Sequence, residues 1–269
     1  MIKPTRIAPE GNLIHRTDDQ HGVIEIYDDE LTRTMYFGGR AKQSSMYLGN
    51  SAILVLSYAQ AMVSSLMFMN DPRSMLLIGL GGGSLASFFL HHYPKCQIEG
   101  VESSEKVVKL AYAYFDLPVD PRMNIHIKDG SEFIRESQLQ YDIEMIDAFD
   151  DDGVSNSVCT QVFFDNCRAR LSQQGIMVIN LWLSKSCAFQ QITDNIRKSF
   201  DNQILLLPVN GHGNIIVLAF NQPVPAKWRK KFYQEALTLQ NRFGIDFPAF
   251  LHTLYHYNTP LIRRMFPFI

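Results

Sequence analysis

The chain is poor in cysteine, and its cysteines show no paired spacing. The 269 residues include Cys96, Cys159, Cys167 and Cys187, and no two of them form a Cys-x-x-Cys pair. In a chain of this size, such cysteines are typical of reduced and mostly buried thiols. The sequence therefore predicts a cytoplasmic protein without a disulfide framework.

Charge is also sparse, and no long basic run occurs. Charged residues make up 19% of the chain, and the formal net charge is -2. Binding to a nucleic-acid backbone needs clustered lysine and arginine side chains. Nucleic acid is therefore not expected as a partner.

A long hydrophobic leader is missing as well. The first residues, "MIKPTRIAPEG", contain no apolar segment, so a secretory signal is not expected. Residues 51–69 carry no charge, but five of them are Ser or Gln, and the stretch is barely long enough to cross a bilayer. We expect a buried helix here and no membrane partner.

The hydrophobic content, 46%, is sufficient for a sizeable core in one large domain and one small domain. Residues 21–41 form short β-like runs separated by Asp-Asp and Gly-Gly, which are hairpin signals. We predict a small N-terminal antiparallel β domain over residues 1–50 and an α/β domain over residues 51–269.

From residue 75 onward, apolar strands alternate with amphipathic helices, which favours a mainly parallel sheet covered on both faces. The stretch "ILLLPVNGHGNIIVLAF" instead predicts a C-terminal antiparallel hairpin, and the residues after about 225 look helical. The fold class is thus α/β and Rossmann-like, with the mixed sheet ending that is common in class I methyltransferase-like folds.

A glycine turn, "GLGGGS", joins the first strand of this sheet to a helix. Gly79, Gly81, Gly82 and Gly83 permit a tight turn that lets backbone N–H groups approach a ligand. Glu102 ends the next strand, where an acid can accept hydrogen bonds from both ribose hydroxyls. The dinucleotide pattern requires Gly or Ala at position 84, which Ser84 fits poorly, whereas the G-x-G-x-G spacing of Gly79, Gly81 and Gly83 favours an S-adenosyl nucleoside. A turn that serves packing alone is the alternative.

Two acidic segments follow later strands. "KDG" places Asp129 and Gly130 where an Asp can bind an adenine amino group or cap a helix, or do both. "DAFDDDG", residues 147–153, leaves a strand at its carboxyl end, where open α/β sheets bind their ligands. The segment suits an amine, a sulfonium or a metal, and a plain acidic loop is the alternative.

Together, "GLGGG", "GVE", "KDG" and "YDIEMIDAFD" resemble the polyamine aminopropyltransferases, the spermidine synthase family. The likeness runs from about residue 24 to residue 220. It implies a small β domain packed on a methyltransferase-like domain, and commonly a homodimer. It also implies decarboxylated S-adenosylmethionine as a co-substrate, no tightly bound cofactor, no metal, and a small-molecule amine as acceptor.

By this resemblance, Glu102 would hold the ribose, Asp129 the adenine, and Asp147 would orient and deprotonate the attacking amine. Asp150 and Gln43 would help to bind the amine. The co-substrate is expected at Gly79, Gly81, Gly82, Gly83, Ser84, Glu102, Asp129 and Gly130.

Several positions depart from the family pattern. Ser84 stands where the family has an Asp that binds the donor's amino group, and Asp151 stands where a Pro often follows the second acid. In place of Tyr-His-Glu the chain has Tyr58, Ala59 and Gln60, so only the amine-binding Tyr58 is retained. Because Ser84 is uncharged, the carboxylate of intact S-adenosylmethionine would meet less repulsion.

Three hypotheses follow: an aminopropyltransferase acting on a small amine, a methyltransferase that uses intact S-adenosylmethionine, and a non-catalytic nucleoside-binding homologue. Asp147 discriminates the last from the first two. Glu144 is unusual because it interrupts an otherwise apolar buried strand. We expect it to pair with an Arg or to lie at a sheet edge.

Overall fold

The computed structural model describes residues 11–20, 22–38, 42–150, 153–182, 186–211, 213–224 and 228–259. Within these ranges, no helix combines the length and the apolar character needed to cross a bilayer.

A five-stranded antiparallel sheet forms the N-terminal part of the chain, in the order β1-β2-β3-β4-β5. Its inward face carries alternating apolar residues such as Ile24 and Ile26, which are almost fully buried. This face packs on Val107 and Phe115 of the larger domain. The strands are β1 (Asn12–Asp19), β2 (Gly22–Asp28), β3 (Thr32–Phe37), β4 (Lys42–Tyr47) and β5 (Asn50–Leu54).

A seven-stranded sheet forms the centre of the larger domain, in the order β13-β14-β12-β9-β6-β7-β8. Four strand pairs are parallel, whereas β14 runs antiparallel to both β12 and β13. The strands are β6 (Ser74–Ile78), β7 (Gln97–Glu102), β8 (Met123–Ile127), β9 (Tyr141–Ile146), β12 (Leu171–Trp182), β13 (Ile204–Pro208) and β14 (Asn214–Phe220), and the short β10 (Phe149–Asp150) pairs with β11 (Gly153–Val154) outside this sheet.

Helices cover both faces of the seven-stranded sheet, and each face has its own apolar cluster. Polar side chains at the N-termini of four helices accept backbone N–H groups, which fixes where those helices begin. The helices are α1 (Ser57–Met62), α2 (Ser84–His92), α3 (Glu105–Tyr114), α4 (Gly130–Glu136), α5 (Gln161–Arg170), α6 (Ser186–Ser199), α7 (Trp228–Phe243) and α8 (Phe247–Asn258), with short 3-10 turns at Val63–Met67 and Asn156–Val158.

The predicted fold class is confirmed, including the antiparallel ending formed by β13 and β14. The single buried helix predicted for residues 51–69 is wrong. Residues up to Leu54 complete the N-terminal sheet, because Ala52 and Leu54 are buried while Ile53 between them is exposed, the alternation of a strand. The division at residue 50 stays a prediction, and β5 continues four residues beyond it.

The helix that follows β5 is short. Six residues of α1 give way to a 3-10 turn, where the Ser65 hydroxyl donates a hydrogen bond to the carbonyl of Met62. Serine side chains that bind nearby carbonyls compete with regular helix geometry. The Ser65 hydroxyl therefore favours the break in the helix at this point.

Candidate active site

The glycine turn after β6 has a backbone that only glycine adopts easily. Gly79, Gly81 and Gly83 have φ values of +88°, +52° and +80°, in the left-handed region. A Cβ atom on Gly79 would lie 2.4 Å from the carbonyl oxygen of Asp147. The turn is therefore fixed both by its own conformation and by the close approach of the segment that follows β9.

The register of the sheet brings three predicted residues to one edge. Ile78 of β6 pairs with Val101 of β7 on one side and with Ile146 of β9 on the other. The residues that follow this row are Gly79, Glu102 and Asp147. Since the strands are parallel, these residues lie together at the carboxyl end of the sheet, where α/β folds bind ligands.

A cavity opens at this edge, between the sheet and the N-terminal strands. Gly82 and Gly83 are not among the residues that line it. A Cβ atom on Gly82 would meet Phe115, and one on Gly83 would meet Leu117, so these glycines serve close packing. The predicted residues that line the cavity are Gln43, Tyr58, Gly79, Gly81, Ser84, Glu102, Asp129, Gly130 and Asp147.

Glu102 is held beneath the glycine turn. Its Oε2 accepts hydrogen bonds from the backbone N–H groups of Leu80 (3.1 Å) and Gly81 (3.4 Å). Its Oε1 accepts the N–H of Ser104 at 3.0 Å. Carboxylate oxygens have further acceptor capacity, so the fixed Glu102 can also bind a pair of ligand hydroxyls.

Asp129 caps α4 and faces the cavity at the same time. Its Oδ1 accepts the N–H groups of Ser131 (2.9 Å) and Glu132 (3.0 Å), and its Oδ2 accepts the hydroxyl of Ser157 at 2.8 Å. Gly130 allows the start of α4 to pack on β6, because a Cβ atom there would lie 2.3 Å from Ile78. The capping role is thus observed, and the adenine contact stays a prediction.

Asp147 is half-buried and has polar contacts on two sides. The Asn180 amide donates to its Oδ1 at 3.0 Å, and the Tyr58 hydroxyl, which donates to the Gln43 carbonyl, also interacts with the carboxylate. Burial raises the pKa of Asp147 to about 6, while Asn180 and Tyr58 oppose that rise. A carboxylate with such a pKa suits proton transfer near neutral pH.

The residues around Asp147 form the other end of the cavity. The Tyr58 hydroxyl lies 2.8 Å from the carbonyl oxygen of Gln43, which joins α1 to the N-terminal sheet. Ser84 is the first residue of α2 and is half-buried against the cavity. Gln60 does not line the cavity, because its Nε2 donates to the carbonyl of Leu54 at 2.7 Å.

The backbone of Asp150 lies in β10, opposite Gly153. The position of its side chain and that of Asp151 lie outside the described part of the chain, so the predicted amine contact of Asp150 stays a prediction. Across the described ranges, no three His, Cys, Asp or Glu side chains are grouped so that they could hold a metal ion.

Sequence reasoning missed several residues of the site. Asp19, from β1, lines the cavity and accepts the Ser104 hydroxyl at 2.7 Å, a contact between residues 85 positions apart that no local pattern indicates. Ser157 was missed for the same reason. Asn180 did leave a signal, because it is the one amide in the otherwise apolar segment "IMVINLW".

Comparisons with known proteins identify the family to which the chain belongs. A family model, the spermine/spermidine synthase domain, matches residues 56–219. The chain belongs to the spermine/spermidine synthase family.

Individual relatives agree with this assignment. A polyamine aminopropyltransferase from Chromobacterium violaceum is 33% identical over 233 residues, which cover 86% of this family member and 88% of the relative. A crystal structure of spermidine synthase in complex with the transition-state analogue AdoDATO covers 96% of this chain and 89% of its own, with a TM-score of 0.73 at 18% identity.

A second solved structure shows that the fold is shared with methyltransferases. Human methyltransferase-like protein 13 in complex with SAH has a TM-score of 0.63 at 23% identity, and it covers 70% of this chain and 93% of its own. At these identities the structural likeness establishes the fold alone. The spermine/spermidine synthase fold of this chain is thus common to two kinds of transferase.

Proposed function

We propose that this chain transfers an aminopropyl group from decarboxylated S-adenosylmethionine to a small amine. The observation that carries the proposal is the Asp147 carboxylate, which lines one cavity together with Glu102 and has a pKa raised to about 6 by burial. The family relatives named as polyamine aminopropyltransferases support the same reaction.

Glu102 and Asp129 would bind the nucleoside. The two carboxylates lie on the same side of the glycine turn, Glu102 at the end of β7 and Asp129 between β8 and α4. Glu102, fixed by backbone N–H groups, suits the ribose hydroxyls, and the free lone pairs of Asp129 suit the adenine amino group. This arrangement would place the sulfonium towards Asp147 and Tyr58.

Asp147 would prepare the amine. A protonated amine has no lone pair for attack, so the carboxylate accepts its proton. The nitrogen then bonds to the carbon next to sulfur, the carbon–sulfur bond breaks, and its electron pair converts the sulfonium to a neutral thioether. Tyr58 and Gln43 would hold the amine in line, since positioning supplies much of the rate in such displacements.

Methyl transfer is the second candidate, and Ser84 is the observation that favours it. Ser84 lines the cavity with an uncharged hydroxyl, so this position would not repel the carboxylate of intact S-adenosylmethionine. Human methyltransferase-like protein 13, which has the same fold, is an example of a protein of this alternative class. A non-catalytic nucleoside-binding homologue is the third hypothesis.

Calorimetric titration of the purified protein with both donors separates these candidates. Tighter binding of decarboxylated S-adenosylmethionine supports aminopropyl transfer, whereas tighter binding of the intact molecule supports methyl transfer. If neither donor binds, the proposed nucleoside site is wrong. Glu102→Gln is the matched variant and should weaken both donors.

The proposed homodimer rests on the family resemblance, and the cytoplasmic location rests on the unpaired cysteines. Analytical ultracentrifugation of the full chain tests the first, and fractionation of the source cells tests the second.

A further inference from the structure

Two asparagines lie behind Asp147, outside the cavity. Asn180 of β12 is only 2% exposed, and its Nδ2 donates to Asp147 Oδ1 at 3.0 Å. Asn214, the first residue of β14, donates in turn from its Nδ2 to Oδ1 of Asn180 at 2.9 Å. Neither asparagine lines the cavity. They therefore act on a ligand only through Asp147.

The sheet register places this chain of hydrogen bonds on one face. Ile146 of β9 pairs with Ile179 of β12, so Asp147 and Asn180 are neighbours just beyond that pair. Asn180 lies opposite Ile216 of β14, and Asn214 is two residues before Ile216, which makes it the diagonal neighbour on the same face. Backbone pairing across three strands thus sets the positions of all three side chains.

The direction of the hydrogen bonds follows from the groups themselves. An ionised carboxylate only accepts, so Asn180 must present its NH₂ group to Asp147. Its carbonyl oxygen then points away and needs a donor, since an unpaired buried polar group is costly. Asn214 supplies that donor and thereby fixes the Asn180 amide in one orientation.

We propose that Asn180, held in place by Asn214, is a positioning residue that orients the Asp147 carboxylate and stabilises its ionised form. The proposal rests on the proposed role of Asp147 as the group that accepts the amine's proton. Hydrogen bonds to a charged group are stronger than those between neutral groups, and a dry site strengthens them further. Asn180 therefore keeps Asp147 in the state that deprotonates the amine.

Few charged groups compete with this effect. Among the described residues, Tyr58 of α1 is a titratable side chain that interacts directly with Asp147, although its hydroxyl donates to the Gln43 carbonyl. Asp19, Glu102, Asp129 and Lys128 line the same cavity, and Lys128 is engaged by Glu136 at 2.5 Å. The two asparagines are uncharged, and Asn180 is the residue that donates a hydrogen bond to the Asp147 carboxylate.

The test measures the pKa of Asp147 by ¹³C NMR of the carboxyl group in the full-length protein, with Asp147→Asn to assign the signal. Asn180→Ala should raise this pKa by about one unit, because it removes a hydrogen bond to the charged form. Asn214→Ala should raise it by less. If Asn180→Ala folds and leaves the pKa unchanged, the proposal is overturned.

Asn221→Ala is the matched control. Asn221 follows β14 at its opposite end, where its Nδ2 donates to the carbonyl oxygens of Leu171 and Ser172. This variant removes a similar amide just beyond the end of β14 and should leave the Asp147 pKa unchanged. If Asn180→Ala does not fold, the pKa of Asp147 is measured in Asn214→Ala instead, because Asn214 is only half-buried. The proposal is then overturned if Asn214→Ala raises the Asp147 pKa no more than Asn221→Ala does.

Kinetics separates the positioning role from the proposed reaction. With decarboxylated S-adenosylmethionine and an accepted amine, Asn180→Ala should move the acidic limb of kcat/KM to higher pH and lower kcat about tenfold on the plateau. The NMR titration needs no turnover. An upward pKa shift in a protein without aminopropyl transfer would support the positioning role and contradict the proposed function. Turnover without a pKa shift would contradict the positioning role alone.

Discussion

Asp147 combines partial burial with a hydrogen bond from Asn180, and its ionisation should control the pH dependence of turnover. Burial raises its pKa to about 6, so the carboxylate is ionised above that pH and protonated below it. Only the ionised form accepts a proton from the amine. We therefore predict that kcat/KM falls as the pH falls through about 6.

Asp147→Asn should remove the fall of kcat/KM at acidic pH altogether. It should also lower kcat by about a hundredfold or more, since an amide cannot accept the proton. Donor binding, measured by calorimetry, should persist because Glu102 and Asp129 are unchanged. If the variant keeps the activity of the unmodified protein, Asp147 is not the base.

Glu144 is a second unusual carboxyl, and it affects stability. It lies fully buried in β9, where its oxygens make no hydrogen bond of normal geometry with the described residues and the Cys167 thiol, a weak donor, lies beside them. The prediction that Glu144 lies at a sheet edge is wrong, because β9 lies between β6 and β12. Burial raises the pKa of Glu144 well above its usual value, so the folded protein holds it neutral.

The raised pKa of Glu144 makes the stability of the fold depend on pH. Once the pH exceeds the ordinary pKa of Glu, the unfolded chain ionises at this position and the folded chain does not, so rising pH destabilises the fold. Glu144→Gln removes this pH-dependent destabilisation, because glutamine does not ionise. Its stability relative to the unmodified protein should rise between pH 5 and pH 8, by at most about 1.4 kcal/mol per unit. Urea unfolding at both pH values measures this, and Asp142→Asn, a change on the same strand, is the control.

At the scale of elements, the glycine turn depends on both conformation and space. Gly79→Ala should cost about 1–2 kcal/mol for its positive φ, plus the clash with the Asp147 carbonyl. It should also abolish donor binding, because either the turn or the segment after β9 must move.

Gly244→Ala is the control for this prediction. Gly244 has a φ of +68° after α7, but a Cβ atom there would meet nothing within 4 Å. The variant should show the conformational cost alone and keep full donor binding. Equal loss of stability and of binding in both variants would contradict the role assigned to the close contact.

The sequence predicted most elements where an apolar period continued without interruption. Residues 75–182 alternate between strand and helix as expected, because each strand carries buried apolar residues and polar caps begin several of the helices. The prediction for residues 51–69 was wrong because strand β5 and helix α1 are both short and apolar. Periodicity alone does not separate two such elements.

At the scale of the whole molecule, the N-terminal sheet completes the cavity. Ile24, Met35 and Met46 pack on α3, and this packing places Gln43 and Asp19 at the end of the parallel sheet. The motifs predicted the carboxylates that the parallel strands bring together. Contacts such as Asp19–Ser104 and Asn180–Asn214 join distant residues and depend on the finished fold.

The reaction itself gives the most direct test of the central claim, which is aminopropyl transfer at Asp147. The purified protein is incubated with decarboxylated or intact S-adenosylmethionine and a panel of primary monoamines and diamines, and products are identified by mass spectrometry. We predict that an amine gains one aminopropyl group from the decarboxylated donor, and that Asp147→Asn prevents it. An amine that gains a methyl group from the intact donor, with no aminopropyl product, would contradict aminopropyl transfer by this protein.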